Sequence, residues 1–265
     1  MKKIITTLVF LTFLVSCVPT KDLIYLQEKS TDDNQSVREV SFKPYRVQIG
    51  DQLRIEVKSN LEVDPLAPLF EKGGQAQSGG ASVQGSGLYF SSYVVDDHGN
   101  IRLPLIEEMN VLSYTADQVR AKIEKELKEN HYTENVNLFV EVKLAGFRFS
   151  VNGEVTRTGT HTLFQDRVTI MEALATAGDI TLVGDRKEVS IIRRYPHGSE
   201  IHTLDLTDRK ILDSPFYYIQ PNDYIYVKPL PQKSWGTGTT GAQTLTTVVA
   251  GLSLIMTTIV LLRTL

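Results

Sequence analysis

Cysteine is nearly absent: Cys17 is the only one in 265 residues. A single thiol excludes an internal disulfide and any zinc site built on several cysteines. An excess of basic residues is missing as well. The 28 Lys and Arg stand against 31 Asp and Glu, a formal charge of −3, and removing Lys2 and Lys3 with a leader leaves 26 − 31 = −5. That balance gives no electrostatic footprint for nucleic acid, and the interspersed charges read as a solvated surface. Catalytic motifs are wanting too. The five histidines, His98, His131, His161, His197 and His202, have no HExxH-type spacing for a metal, and there is no GxSxG elbow or phosphate loop. The string GTGTTG at Gly236 to Gly241 matches the dinucleotide pattern GxGxxG by letter. Pro229 and Pro231 nevertheless interrupt any strand before it, and no Asp or Glu follows Asp223 to hold a ribose. It reads as a hinge, and neither cofactor nor metal is expected. The acid pairs Asp96, Asp97 and Glu107, Glu108 lie near turns and read as solvated charge. A glycosidase pair without a local motif stays open as an enzymatic alternative, because two carboxylates need no sequence neighbourhood.

What is present begins with a leader. Lys2 and Lys3 precede an apolar run from Ile4 to Val15, then Ser16 and Cys17, the pattern of a secretory signal over 1–16 rather than a span. Leu14, Val15, Ser16 and Cys17 resemble the bacterial lipobox, in which the leader is cut before the cysteine and the cysteine receives lipid. Val18 after it implies, by the same resemblance, sorting to the outer membrane. Residues 17–44 read as a polar tether around KSTDDNQS. The apolar group Leu23, Ile24, Tyr25, Leu26 within it suits either a partner surface or a short contact with the chain's own domain.

At 42% apolar and 22% charged residues the remainder is long enough for two small cores. The first, over 45–145, opens with YRVQIGDQLRIEV, where Val47 and Ile49, then Leu53, Ile55 and Val57, alternate about a Gly50–Asp51 turn and predict strand, turn, strand. The stretch 71–87 holds KGGQAQSGGASVQGSG, too poor in apolar surface to offset its ordering, and reads as a loop. Tyr89 to Val95 and Ile101 to Leu105 predict strands about a turn at 96–100. Thr115 with Gln118 forms a capping box before a helix that buries Val119, Ile123 and Leu127, and Val136 to Leu144 alternates as a strand. The second core, over 146–230, starts with the alternation Phe147, Phe149, Val151. It continues through a turn at Thr158–Gly159, a short helix capped by Thr169 and Glu172, strands at 188–194 and 200–206, and a closing YYIQPNDYIYV that echoes YRVQIGDQLRIEV. The fold class is α+β, two small mixed α/β domains, followed by a terminal helix.

That helix comes after a Gly/Thr hinge at 231–241. Residues 242–262 carry no formal charge, about the length needed to cross a hydrocarbon layer of about 30 Å, and predict a transmembrane helix. At about 100° per residue, Leu245, Val248, Leu252, Ile255 and Ile259 share an apolar face expected to meet lipid, with Val249 and Met256. Thr244, Thr247, Gly251 and Thr258 share the other, expected to pack against neighbouring helices or line a lumen. A single-pass anchor is the plainer alternative for the segment taken alone.

The strings YRVQIGDQLRIEV, YVVDDHGNIRLPLI and the capped helix followed by NVNLFVEV resemble the polysaccharide export domain. FRFSVNGEVTRTGTHTL, TIMEALATAGDI and QPNDYIYVKP resemble the soluble-ligand-binding β-grasp domain that follows it. Lipobox, export domain, β-grasp domain and terminal helix in this order are similar to the outer-membrane polysaccharide export lipoproteins, the Wza-like family. One β-grasp unit stands where longer members have more, and Asp179 stands where a second glycine is usual. The resemblance implies a capsular or exopolysaccharide substrate and an inner-membrane polysaccharide co-polymerase as partner. It further implies a ring of identical copies, lipid-anchored in the bacterial outer membrane with its soluble domains in the periplasm. A lipid-anchored glycan-binding module without a pore is the second reading.

Overall fold

Apolar residues at every second position of one strand seed the first core. Strand β1, Gln52–Ser59, buries Leu53, Ile55 and Val57 on one face, as period-two alternation requires when one side of a sheet is covered. The computed structural model describes residues 20–28, 44–62, 64–70, 91–133, 135–195, 198–234 and 241–264. The leader, Cys17, the glycine-rich stretch 71–87 and positions 235–240 of the hinge lie outside the described residues.

Helix α1, Ala67–Phe70, inserts the side chain of Phe70 into this core, and the short β2, Tyr93–Val94, pairs antiparallel with the start of β1. Strands β3, Asn100–Ile101, and β4, Met109–Asn110, form a separate two-stranded ribbon. The cover is helix α2, Ala116–Asn130, whose Thr115–Gln118 capping box is complete and whose Val119, Ile123 and Leu127 are fully buried. Each such side chain contributes about 1.5–3 kcal/mol on burial. Strand β5, Leu138–Leu144, completes the sheet in the order β2-β1-β5, with Ile55 opposite Val142 and Val57 opposite Val140.

Two predicted strands of this unit are corrected. Tyr45 to Gln48 is not a strand: Val47 instead exchanges hydrogen bonds with the loop before α2, accepting from Ser113 at 2.9 Å and donating to Tyr114 at 2.9 Å. The strand expected over 101–105 stops at Ile101, because Pro104 lacks a donor and Leu105 takes a positive φ of 66°.

A second core follows directly. Strand β6, Phe147–Gly153, turns into β7, Gly159–Leu163; helix α3, Ile170–Thr176, carries its own complete capping box at Thr169 and Glu172. Then come β8, Gly184–Tyr195, β9, Gly198–Leu204, and β10, Tyr224–Pro229. The five strands lie in the order β7-β6-β10-β8-β9, antiparallel except for β6 beside β10, which are parallel. That parallel contact sets a strict size limit at Gly153: its φ is +92° and a Cβ there would strike the Val227 carbonyl. α3 seals one face with Ile170, Ala173 and Leu174, packed on Phe149, Ile191 and Ile225 of the buried cluster.

Residues 20–28 lie on this second unit. Leu26 and Gln27 donate to Leu206 and Thr207 carbonyls at 3.1 and 2.8 Å, and Arg209 returns a bond to Gln27 at 3.1 Å. Tyr25 donates its hydroxyl to Asp179 at 2.5 Å, with the Arg186 guanidinium 5.2 Å from its ring, and Lys187 pairs with Asp22 at 2.6 Å. The apolar group around Tyr25 thus contacts the chain's own fold.

After the short α4, Pro231–Ser234, the chain ends in α5, Gly241–Thr264. Among the described residues no helix is long and apolar enough to cross a membrane, so they do not support the span expected over 242–262.

Candidate functional site

The two echoing strings build the same turn twice. In the first, Gln48, Ile49, Gly50 and Asp51 close with Asp51 donating to the Gln48 carbonyl at 3.2 Å, Gly50 at φ +85°. In the second, Gln220, Pro221, Asn222 and Asp223 close with Asp223 donating to the Gln220 carbonyl at 3.1 Å, Asn222 at φ +66°. A positive φ at the third position is the signature of a type II turn, and Pro at the second suits it. In both, the aspartate side chain turns back to accept from the glutamine N–H, at 2.8 Å for Asp51 and 2.7 Å for Asp223. Both carboxylates are buried, 3% and 1% exposed.

The turns meet. Asn222 donates its side-chain amide to Asp51 at 3.2 Å across 171 residues of sequence, and Tyr45 donates its hydroxyl to the other Asp51 oxygen at 2.7 Å. Asp223 takes a bidentate pair from Arg193 of β8, at 2.9 and 2.7 Å, the planar fork geometry that makes such a pair both strong and directional. Burial raises the Asp51 carboxyl above its ordinary range, against the opposing donors Gln48, Tyr45 and Asn222. Burial likewise raises Asp223, against the pull of Arg193. Tyr45 is pushed well up, by burial first and by the neighbouring Asp51 next, so its hydroxyl keeps its proton and remains a donor.

Above this polar floor opens a cavity of about 530 Å³. Tyr45 comes from the approach to the first unit, Phe147 from β6, Arg193 and Tyr195 from β8, and Asp213 to Pro221 from the segment leading into β10. Phe216 is held in place: the His202 ring stacks on it with centroids 3.8 Å apart and the Arg193 guanidinium lies 5.1 Å from its centre. Backbone bonds from Ile170 to Tyr217 and from Ile219 to Val168 fix the same segment against α3. The volume falls in the ~300–1,000 Å³ range of small-molecule sites, which are walled by apolar and aromatic side chains with a few placed polar groups. Among the described residues no group of His, Cys, Asp and Glu could hold a metal ion.

The residues singled out in the tail lie apart from this cavity, on α5. Gly251 is exposed and nothing stands within 4 Å of where a Cβ would be. Leu252 is half-buried, while Ile255 and Ile259 are exposed. Thr258 donates to the Leu254 carbonyl at 2.7 Å, Thr257 to Ser253 at 2.6 Å and Ser253 to Ala250 at 2.8 Å. The side chains of Thr244, Leu245, Thr247 and Val248 lie outside the described residues. The hydroxyl protons are spent on the helix's own carbonyls, and Leu254, exposed, falls between Thr257 and Thr258 around the axis at about 100° per residue. With Val260 and Leu261 also exposed, the described part of the helix carries apolar side chains on more than one face. A helix of that kind is normally covered.

Residues 40–143 match the family model of the Polysaccharide biosynthesis/export protein. That stretch covers most of the first unit. The likeness drawn from YRVQIGDQLRIEV and the capped helix therefore holds for this unit. Sequence reasoning did not find the cavity. Its signal was present, since the repeated Gln-x-x-Asp string marks both turns, but only the fold shows that they touch.

Proposed function

We propose that several copies of this chain assemble into the outer-membrane conduit through which a capsular or exopolysaccharide leaves the periplasm. The observation that carries this is the match of the first unit to the polysaccharide export family. In this reading the two units, an export domain and a β-grasp domain, stack as the periplasmic vestibule, with polymer delivered by an inner-membrane co-polymerase. Lipid on Cys17 holds each copy to the outer membrane. Exposed apolar side chains such as Leu254, Met256 and Val260 on α5 support association, because copies packed side by side remove that surface from water, and a ring is how unlike contact surfaces on one subunit close.

The test has two arms. Deleting the gene should leave polymer inside the cell, with export restored by the intact chain and not by one ending at Ser234. Projection images of the purified lipidated protein should show rings with a central opening. Normal export in the deletion strain would refute the role in transport. Particles of a single copy would refute the conduit while leaving that role intact.

A further inference from the structure

We infer that the cavity bordered by Tyr45 and the segment leading into β10 is a binding site for uncharged sugar units of the exported polymer, an assignment that rests on the export reading above and places one point of contact with the chain in transit. The first ground is the wall. Tyr45, Tyr195 and Tyr218 line it and are half-buried, so aromatic surface borders the open space. Flat aromatic surface beside a handful of polar groups suits a pyranose ring, whose C–H faces are apolar and whose edge carries hydroxyls.

The second ground is charge. Arg193 is already neutralised by the buried Asp223, which leaves Arg167 against Asp166 and Asp213 in the lining, 1 − 2 = −1. A site for an acidic polymer would present unopposed cations; this one gives an anionic chain no electrostatic gain. The third is rigidity. The wall segment is tied to α3 by backbone bonds, Phe216 is clamped between His202 and Arg193, and the floor is a closed set of hydrogen bonds from Tyr45 to Arg193. A preformed pocket loses little freedom when a sugar enters. Tyr45 belongs to the first unit and the rest to the second, so an occupied cavity bears on both.

The experiment titrates the full-length protein with oligosaccharide fragments of the source cell's own surface polysaccharide, read by calorimetry. Tyr218→Leu keeps apolar bulk and removes the flat ring; Tyr195→Leu does the same from the other side, and Phe139→Leu, an exposed ring on β5 remote from the cavity, is the control. Both cavity variants should weaken binding about fivefold or more, in line with the worth of an aromatic contact. The control should not, and affinity should hold between low and about 0.5 M salt. Thermal melts of each variant show that the fold is kept. Binding that survives both cavity variants, collapses with salt, or is absent from the wild-type protein overturns the site. Export in cells carrying Tyr218→Leu is measured separately, and a deletion strain that still exports would instead overturn the transport reading.

Discussion

Removing Asp223 leaves the Arg193 guanidinium buried with no counter-charge, and the consequence is large enough to measure. The pair is bidentate, at 2.9 and 2.7 Å, and its side chains are 5% and 1% exposed for Arg193 and Asp223. Breaking a buried pair from one side costs about 3–5 kcal/mol, because the surviving charge stays out of water. Asp223→Ala also strips the acceptor from the Gln220 N–H. At ~2–4 °C per kcal/mol for a chain of this size, the melting temperature should fall by roughly 6–20 °C. The informative comparison is the double variant Arg193→Met with Asp223→Asn, which removes the charge on both sides and retains an oxygen for Gln220. It should recover all but about 1–2 kcal/mol of the loss. Circular dichroism melts at fixed pH and in low and high salt suffice, and the loss should not shrink with salt, since so buried a pair is barely screened. A single variant melting within about 2 °C of wild type on that scale, or a double variant melting as low as the single one, would refute the account of the floor.

Three further outcomes follow from the same structure. Burial raises the folded-state Asp51 carboxyl above its unfolded value; its contribution to stability is therefore present below the unfolded value and is lost as pH rises through the folded one. The melting-temperature gap between wild type and Asp51→Asn should accordingly shrink as pH rises above the ordinary carboxylate range, and a gap that widens would contradict the assigned direction. Gly153→Ala forces a Cβ against the Val227 carbonyl at a positive φ and should cost at least about 1–3 kcal/mol, seen as an earlier denaturation midpoint; an unchanged midpoint would mean β6 and β10 do not pair as described. Tyr25→Phe removes the bond to Asp179 and should speed amide exchange of Gln27. Unchanged exchange there would show that the hydroxyl does not hold residues 20–28 in place.

Local signals were readable and non-local ones were not. Both capping boxes, Thr115–Gln118 and Thr169–Glu172, formed where the letters placed them, because a cap is settled within four residues. The alternation of β1, β5 and β6 was equally plain. Tyr45 to Gln48 misled, since alternation says which side chains are buried but not whether a partner strand lies alongside; the partner there is a loop at 113–114. The turn strings were visible as an echo, whereas their contact through Asn222 and Asp51 depends on how two separate cores meet. In the tail, hydroxyl spacing points to one polar side. Leu254 and Leu261 interrupt that side, and the threonines fold their protons back onto the helix.

The docking of residues 20–28 beside Leu206, Thr207 and Asp179 makes the second unit discontinuous in the gene and continuous in space. The export domain is in effect a passenger spliced into it, leaving near residue 28 and returning at Phe147. A tug on the front of the polypeptide is borne by the host module, through Gln27 and Tyr25, and reaches the passenger through the intervening chain and contacts such as Asn222–Asp51. Excising 44–145 and joining the flanks thus removes one module without cutting through the core of the other.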